Sequence, residues 1–113
     1  MFTFPANERL KTQELKEVFK GGERHRDRFL TLIVLRKETG PGKAGFIVRK
    51  SKNSAVERNR CKRIMREIYR LNKHRINGHF WIVLILTRQK EKLRFSALEE
   101  AFMRICRKAG IIS

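Results

Sequence analysis

The sequence is poor in acidic residues and in cysteine. Only 11 of its 113 residues are Asp or Glu, and Asp27 is the only Asp. Because a metal-dependent nuclease holds its ions with clustered carboxylates, this shortage argues against a stand-alone nuclease. The two cysteines, Cys61 and Cys106, are too few for a disulfide scaffold and favour a reducing compartment. We therefore expect a cytoplasmic protein.

Long apolar runs are missing as well. The longest, residues 80–86, is far too short to cross a bilayer. No basic segment followed by an apolar run opens the chain, so we expect no signal peptide. A chain of 113 residues has room for one folded unit, and we expect a single domain over residues 1–113.

Positive charge is what the sequence has in excess. Its 28 Lys and Arg residues give a formal net charge of +17. Such a concentration of like charge opposes compaction and is usually matched to a polyanion, either a nucleic acid or an anionic membrane. The 41% of hydrophobic residues still suffices for a core, which excludes a disordered basic tail.

The hydrophobic pattern predicts an α+β fold with the order α-β-β-β-α-β-α, built as a two-layer α/β sandwich. Thr12 is expected to cap a first helix whose apolar face is Leu15, Val18 and Phe19. A capping box of Ser96 and Glu99 is expected to open the last helix, and Gly110 to end it. The other predicted elements are strands within 23–28, 29–35, 44–50 and 79–87 and a helix over about 55–73.

The long helix carries the clearest functional pattern. At about 100° per residue, one side collects apolar residues and the other collects cations. Glu57 and Glu67 are the only carboxylates from residue 57 to residue 73, which favours a polyanion-binding surface over an ordinary solvated helix face. The apolar side is Cys61, Ile64, Met65, Ile68 and Leu71; the cationic side is Asn59, Lys62, Arg63, Arg66, Arg70 and Lys73, flanked by Arg58 and Arg60.

The composition of this helix distinguishes between polyanions. A membrane-surface helix exposes bulky apolar residues, whereas the modest apolar side here is needed for the core. A DNA-reading helix mixes Asn, Gln and Ser with Arg to contact base edges, whereas this surface is almost entirely cationic. We therefore expect an RNA backbone as the partner, and neither DNA nor a membrane.

The segment from Arg58 to Arg70 resembles the "RNR" signature of the protein subunit of bacterial ribonuclease P, in the form R-N-R-x-K-R-x-x-R-E after Ala55-Val56. The resemblance extends over nearly the whole chain. It implies a protein that binds the catalytic RNA subunit and the 5′ leader of precursor tRNA and so assists removal of the leader. It also implies hydrolysis by the RNA, with Mg²⁺ in the assembled ribonucleoprotein and none held by the protein, and a left-handed β-α-β crossover around the basic helix.

The resemblance also implies site residues. The helix positions that match the RNA-subunit contact are Arg58, Asn59, Arg60, Lys62, Arg63, Arg66 and Arg70. In the cleft that the family uses for the leader, Phe19 matches an aromatic position, and Arg49 and Lys50 match basic ones. We add Phe29 and Thr31, which share one face of their strand. Leu15 departs from the aromatic that is usual one turn before Phe19.

Two interpretations remain beside this one. By pattern alone Phe19 is equally well a core residue, since it completes a helical i, i+4 stripe. Charge and fold class also fit a ribosomal protein that binds RNA without taking part in catalysis. The feature that favours the ribonuclease P subunit is a second RNA surface, the cleft with Phe19, Arg49 and Lys50, beside the basic helix.

Overall fold

The computed structural model describes residues 8–28, 30–49, 55–86 and 94–112. The predicted α+β fold and its element order are confirmed, and the parts described share one four-stranded sheet. The elements are α1 (Thr12–Gly21), β1 (Glu23–Arg26), β2 (Leu30–Arg36), β3 (Lys43–Val48), α2 (Ala55–Asn72), a 3₁₀ turn (Lys73–Arg75), β4 (Phe80–Leu86) and α3 (Phe95–Ala109).

The sheet has the order β1-β2-β4-β3. β2 pairs with β1 and β4 in antiparallel fashion, and β3 lies parallel to β4. β4 is nearly continuous in apolar residues because it lies inside the sheet with helices on both faces. The outer edge of β3 is partly covered, since the Leu10 amide donates to the Ala44 carbonyl at 3.2 Å.

One face of the sheet packs against α2 and α3. Alternate residues of the strands, such as Leu32 of β2 and Leu84 of β4, point to this face. Cys61, Met65 and Ile68 of α2 join them in one cluster. From α3 the same cluster takes the predicted stripe Leu98, Ala101, Phe102 and Ile105, together with Cys106.

The other face packs against α1. Val18 is fully buried there among Ile33, Val83 and Ile85, with Leu10 beside them. Gly45 allows close approach, because a Cβ at this position would lie 2.8 Å from Leu15 Cδ2. The predicted two-layer sandwich is thus extended by α1 on the second face.

The crossover β3-α2-β4 is left-handed. The Arg49 amide donates to the Leu86 carbonyl at 3.1 Å, so this carbonyl points toward β3. The Leu86 side chain lies on the α2 face. In a strand of L-residues that runs upward with a side chain toward the viewer, the carbonyl of that residue points right. Seen from α2, β3 is therefore to the right of β4. The chain runs up β3, crosses in front of the sheet through α2 and returns to β4 on the left, which is a left-handed crossover, against the usual right-handed preference.

The predicted N-caps of α1 and α3 are both wrong. α1 begins one position earlier, at N-cap Lys11, and the Glu14 carboxylate accepts from the Lys11 amide at 2.8 Å, which leaves Thr12 inside the helix. α3 begins at N-cap Arg94, whose carbonyl accepts from the Leu98 amide, so Ser96 lies in the first turn. The Glu99 carboxylate instead accepts from the buried Asn72 amide group at 3.2 Å. Gly110 ends α3 at φ 76°, as predicted.

Candidate RNA-binding surfaces

The buried side of α2 is turned relative to the predicted one. Leu71 was expected in the core but is 41% exposed, since it lies about 100° around the helix from the centre of the buried stripe. Tyr69 and Asn72 are buried in its place. Burial, with a smaller effect of Glu8, raises the pKa of Tyr69 to about 12, so this phenol stays neutral and belongs to the core.

The opposite side of α2 is the cationic surface that the sequence predicts, with Asn59 and Arg63 exposed and the others half-buried. We call the residues Arg58, Asn59, Arg60, Lys62, Arg63, Arg66 and Arg70 the α2 surface. Within the described chain, Lys62, Arg63 and Arg66 have no hydrogen-bonding or ion-pair partner. Their positive charge is therefore directed to solvent or to a ligand.

Two arginines of the α2 surface are held by carboxylates of the same helix. Arg60 donates from Nε and Nη2 to Glu57 at 2.7 to 3.1 Å, and Arg70 makes the same kind of fork with Glu67. These bonds raise the pKa of both guanidinium groups and lower the pKa of Glu67. The forks fix the arginine orientations and partly neutralise their charge.

The second candidate surface lies on the α1 face of the sheet. Residues that pair across neighbouring strands form a row of the sheet. α1 covers the rows that contain Val83 and Trp81, because Leu15, Val18 and Gly22 lie against residues of those rows. The next row, Thr31–Ile85–Ile47, borders the helix, with Ile85 in the same buried cluster as Val18. Its members range from buried (Thr31 and Ile85) to half-buried (Ile47), so they form a floor.

Cations and one aromatic ring surround this floor. Phe19 projects from α1 and is 37% exposed, which decides against the core interpretation. Arg24 of β1 lies over its ring, with Cζ 5.7 Å from the centroid. We call Phe19, Arg24, Arg26, Thr31, Ile47, Ile85 and Arg49 the α1-side cleft.

Strand register places the cations of the cleft. Arg24 is paired with Ile33 and Arg26 with Thr31, so both arginines point to the α1 face. Arg49 follows β3 directly and continues its alternation onto the same face. Arg24 and Arg26 were not predicted, although the alternating sequence Glu-Arg-His-Arg of β1 already puts two arginines on one side. Phe29 and Lys50, which were predicted here, lie outside the described residues.

The far end of the α1 face has a different charge balance. Lys43 Nζ donates to Glu14 at 2.6 Å, and Lys37 Nζ lies 3.5 Å from Glu17. Both lysines also lie over the Trp81 ring, with Lys37 Nζ at 4.2 Å and Lys43 Nζ at 5.4 Å from its centroid. The pKa of Glu14 is lowered, and the hydrogen bond from Lys43 is the largest cause. At this end each cation is paired with an acid, whereas Arg24, Arg26 and Arg49 have no ion-pair partner in the described chain.

The described residues do not offer a metal site. No three His, Cys, Asp or Glu side chains come together among them. Burial raises the pKa of Cys106 to about 12, so this thiol is not a nucleophile. None of the helices in this part of the chain has both the length and the apolar character that a membrane span requires.

Comparison with known proteins gives the family. The ribonuclease P family model matches residues 4–110. This chain belongs to the ribonuclease P protein family. The ribonuclease P protein component of Finegoldia magna is 38% identical over 98 residues, which are 87% of this chain and 86% of that protein. Family membership confirms the predicted function, that of the protein subunit of an endoribonuclease in tRNA 5′ maturation.

Solved structures of the family share the fold. The RNase P protein of Thermotoga maritima superposes with a TM-score of 0.77 at 27% identity, over 89% of this chain and 96% of that one. The RNase P protein of Staphylococcus aureus gives a TM-score of 0.81 at 23% identity, over 94% and 98%. The family works with an RNA subunit.

Proposed function

We propose that the α2 surface binds the RNA subunit of ribonuclease P and that the α1-side cleft binds the 5′ leader of precursor tRNA. The observation that carries the proposal is the presence of two cationic surfaces of different character, directed away from opposite faces of one sheet. In this arrangement the protein joins the catalytic RNA to its substrate, in the cytoplasm where precursor tRNA is made.

The α2 surface suits a folded RNA backbone. Lys62, Arg63 and Arg66 are without partners in the described chain and lie on one exposed helix side. Like charges at i, i+4, such as Lys62 and Arg66, oppose the isolated helix by a few tenths of a kcal/mol. Phosphates offset this repulsion, and each one that is neutralised releases condensed counterions. The surface has almost no groups that read bases, so it supports binding by shape and charge.

The α1-side cleft suits unpaired nucleotides. An exposed aromatic ring such as Phe19 stacks on any base, because every base has a π-face. The half-buried Ile47 offers bases an apolar contact, whereas the exposed Arg26 and Arg49 suit the backbone. A cleft of this kind accepts leaders of many sequences.

The chain itself supplies binding and orientation rather than chemistry. We propose that hydrolysis belongs to the RNA subunit and that the Mg²⁺ of the assembled particle is held mainly by RNA. The cationic residues reduce the repulsion between two polyanions and so favour substrate binding at low Mg²⁺. We expect the partners to be the ribonuclease P RNA and precursor tRNA, and neither DNA nor a membrane.

Reconstitution tests the proposal. The protein is mixed with a bacterial ribonuclease P RNA at low Mg²⁺, and cleavage of a 5′-extended precursor tRNA is followed, with RNA alone and protein alone as controls. We expect cleavage at the mature 5′ end only when both are present. Tight RNA binding without stimulation of cleavage would instead support a purely structural RNA-binding role, and cleavage by protein alone would support a stand-alone nuclease.

A further inference from the structure

A third cationic surface lies where the end of α3 meets the edge strand β1. Arg104 donates from Nε to Asp27 Oδ2 at 2.8 Å, and Lys108 Nζ donates to the Arg26 carbonyl at 2.8 Å. Arg104 is 53% exposed, and its two Nη nitrogens have no partner in the described part of the chain. We call Arg104 and Lys108, with Arg26 between them and the cleft, the β1-edge surface.

The single Asp of the chain orders this surface. Burial alone would raise the pKa of Asp27, but hydrogen bonds from the Arg28 amide and the Arg104 guanidinium lower the pKa below its ordinary value. Asp27 therefore stays charged and holds Arg104 through its Nε, which leaves both Nη groups free to donate to a ligand. An arginine held in this way is pre-oriented to donate hydrogen bonds to a phosphate, unlike a freely moving surface arginine.

The β1-edge surface continues the α1-side cleft. Arg26 is opposite Thr31, in the same row as Ile85 and Ile47. An RNA strand lying along this row crosses three interstrand gaps, about 14 Å, and leaves the sheet over β1. Beside Arg26 lie Lys108, which donates to the Arg26 carbonyl, and Arg104, one turn of α3 away from Lys108.

The structure argues against other partners for this edge. Strand addition is disfavoured, because β1 has only four residues, carries alternate charges and has its Arg26 carbonyl occupied by Lys108. The α2 surface lies toward the opposite edge of the sheet, since α2 packs on β3 and α3 packs on β1 and β2.

We propose that the β1-edge surface binds the backbone of single-stranded leader RNA upstream of the nucleotides in the cleft. The inference rests on the proposed function of the cleft and extends it. It predicts that a long leader binds more tightly than a short one, and that Arg104 and Lys108 account for the difference.

The test compares two leaders on one precursor tRNA, about four and about sixteen nucleotides long, which bracket the site sizes of small single-strand-binding domains. Affinities are measured with the reconstituted particle containing wild-type protein or Arg104→Gln/Lys108→Gln. The glutamine that replaces Arg104 retains an N–H donor for Asp27, so the fold is expected to survive. The control is Arg75→Gln/Arg107→Gln, two exposed cations that line a cavity with Arg104 but lie outside the β1-edge surface.

We expect the Arg104/Lys108 variant to lose about tenfold in affinity for the long leader at roughly 0.15 M salt, the effect of two phosphate contacts. Its affinity for the short leader should match wild type, and the control should match wild type for both. Equal wild-type affinity for both leaders would overturn the inference while leaving the cleft proposal intact. Weaker binding of the RNA subunit by the Arg104/Lys108 variant would also overturn it, by assigning the edge to that RNA.

Discussion

The two faces of the sheet differ in what they leave for RNA. On the α2 face, the helix fills the core with one side and presents closely spaced cations on the other, with no exposed aromatic ring among them. On the α1 face, the short helix leaves Ile47 half-buried, and an aromatic ring and a few separated arginines remain beside it. The same excess of positive charge is thus used in two ways, for backbone binding by α2 and for unpaired bases by the cleft.

Neutralising the unpaired cations of the α2 surface should have the largest effect. For Lys62→Gln/Arg63→Gln/Arg66→Gln we expect the affinity for the RNA subunit to fall about 100-fold at roughly 0.15 M salt. The negative slope of log affinity against log salt concentration should become shallower by about two. Titration of labelled RNA subunit at several salt concentrations measures both. A control with Lys16, Arg75 and Arg107 changed to Gln carries the same net charge. If the control loses as much, total charge rather than the α2 surface determines binding.

Phe19→Ala should affect the other region. Loss of one stacking partner is expected to cost about 1–3 kcal/mol in affinity for leader-bearing precursor, with little change for mature tRNA. Phe95→Ala is a matched control, because Phe95 is also 37% exposed and opens α3, away from α1. Equal losses for both RNAs would mean that Phe19 acts in folding and not in the cleft.

Gly22→Ala tests whether the two regions are independent. A Cβ at Gly22 would lie 2.5 Å from the Val18 carbonyl oxygen and 2.6 Å from Ile33 Cγ2, so the end of α1 must shift from the sheet. We expect a loss of about 1–3 kcal/mol in unfolding free energy. Leader discrimination should weaken, whereas RNA-subunit affinity of the folded protein should not. Denaturant unfolding and the two binding assays check this. The control is Gly21→Ala, because a Cβ at the neighbouring Gly21 would lie at an ordinary contact distance of 3.7 Å from Leu35 Cδ1.

Glu14→Gln should give the smallest change. Because the Lys43 hydrogen bond lowers the pKa of Glu14 in the folded state, this carboxylate stabilises the protein above its unfolded pKa, about 4.3, and the contribution disappears as the pH falls further. The variant should therefore be less stable than wild type at neutral pH by less than about 1 kcal/mol, and equal to it in acid. Thermal unfolding across that pH range measures the difference. If the stability difference between wild type and Glu14→Gln persisted or widened in acid, the ion pair with Lys43 would be excluded as its cause.

The order of elements could be predicted because it depends on local patterns. β4 is a continuous apolar run, and α3 has an apolar stripe that ends at Gly110, so both are visible in the sequence. The starts of α1 and α3 could not be predicted in this way. At α1 the Glu14 side chain accepts from the Lys11 amide, and at α3 the N-cap residue Arg94 makes no side-chain cap hydrogen bond. Leu71 and Tyr69 border the same stripe, and only the packing of α2 on β3 determines which is buried.

The α2 surface could be predicted more fully than the cleft. A cationic helix face follows from a period of 3.6 within one segment, although the forks of Glu57 with Arg60 and of Glu67 with Arg70 were not foreseen. The cleft is assembled from α1, β1, β2, β3 and β4, and its membership depends on register. Arg24 and Arg26 enter it because they are opposite Ile33 and Thr31, a pairing that no single segment encodes.

The most direct test of the two-surface account is the cleavage rate of leader-bearing precursor tRNA at low Mg²⁺ as protein concentration rises to saturation. The α2 triple variant should need far more protein but reach the wild-type leader preference, because its defect lies in assembly with the RNA subunit. Phe19→Ala should saturate at the wild-type protein concentration but retain a lower preference for the leader. If both variants converge on the same curve, the protein has one RNA surface and the account is wrong.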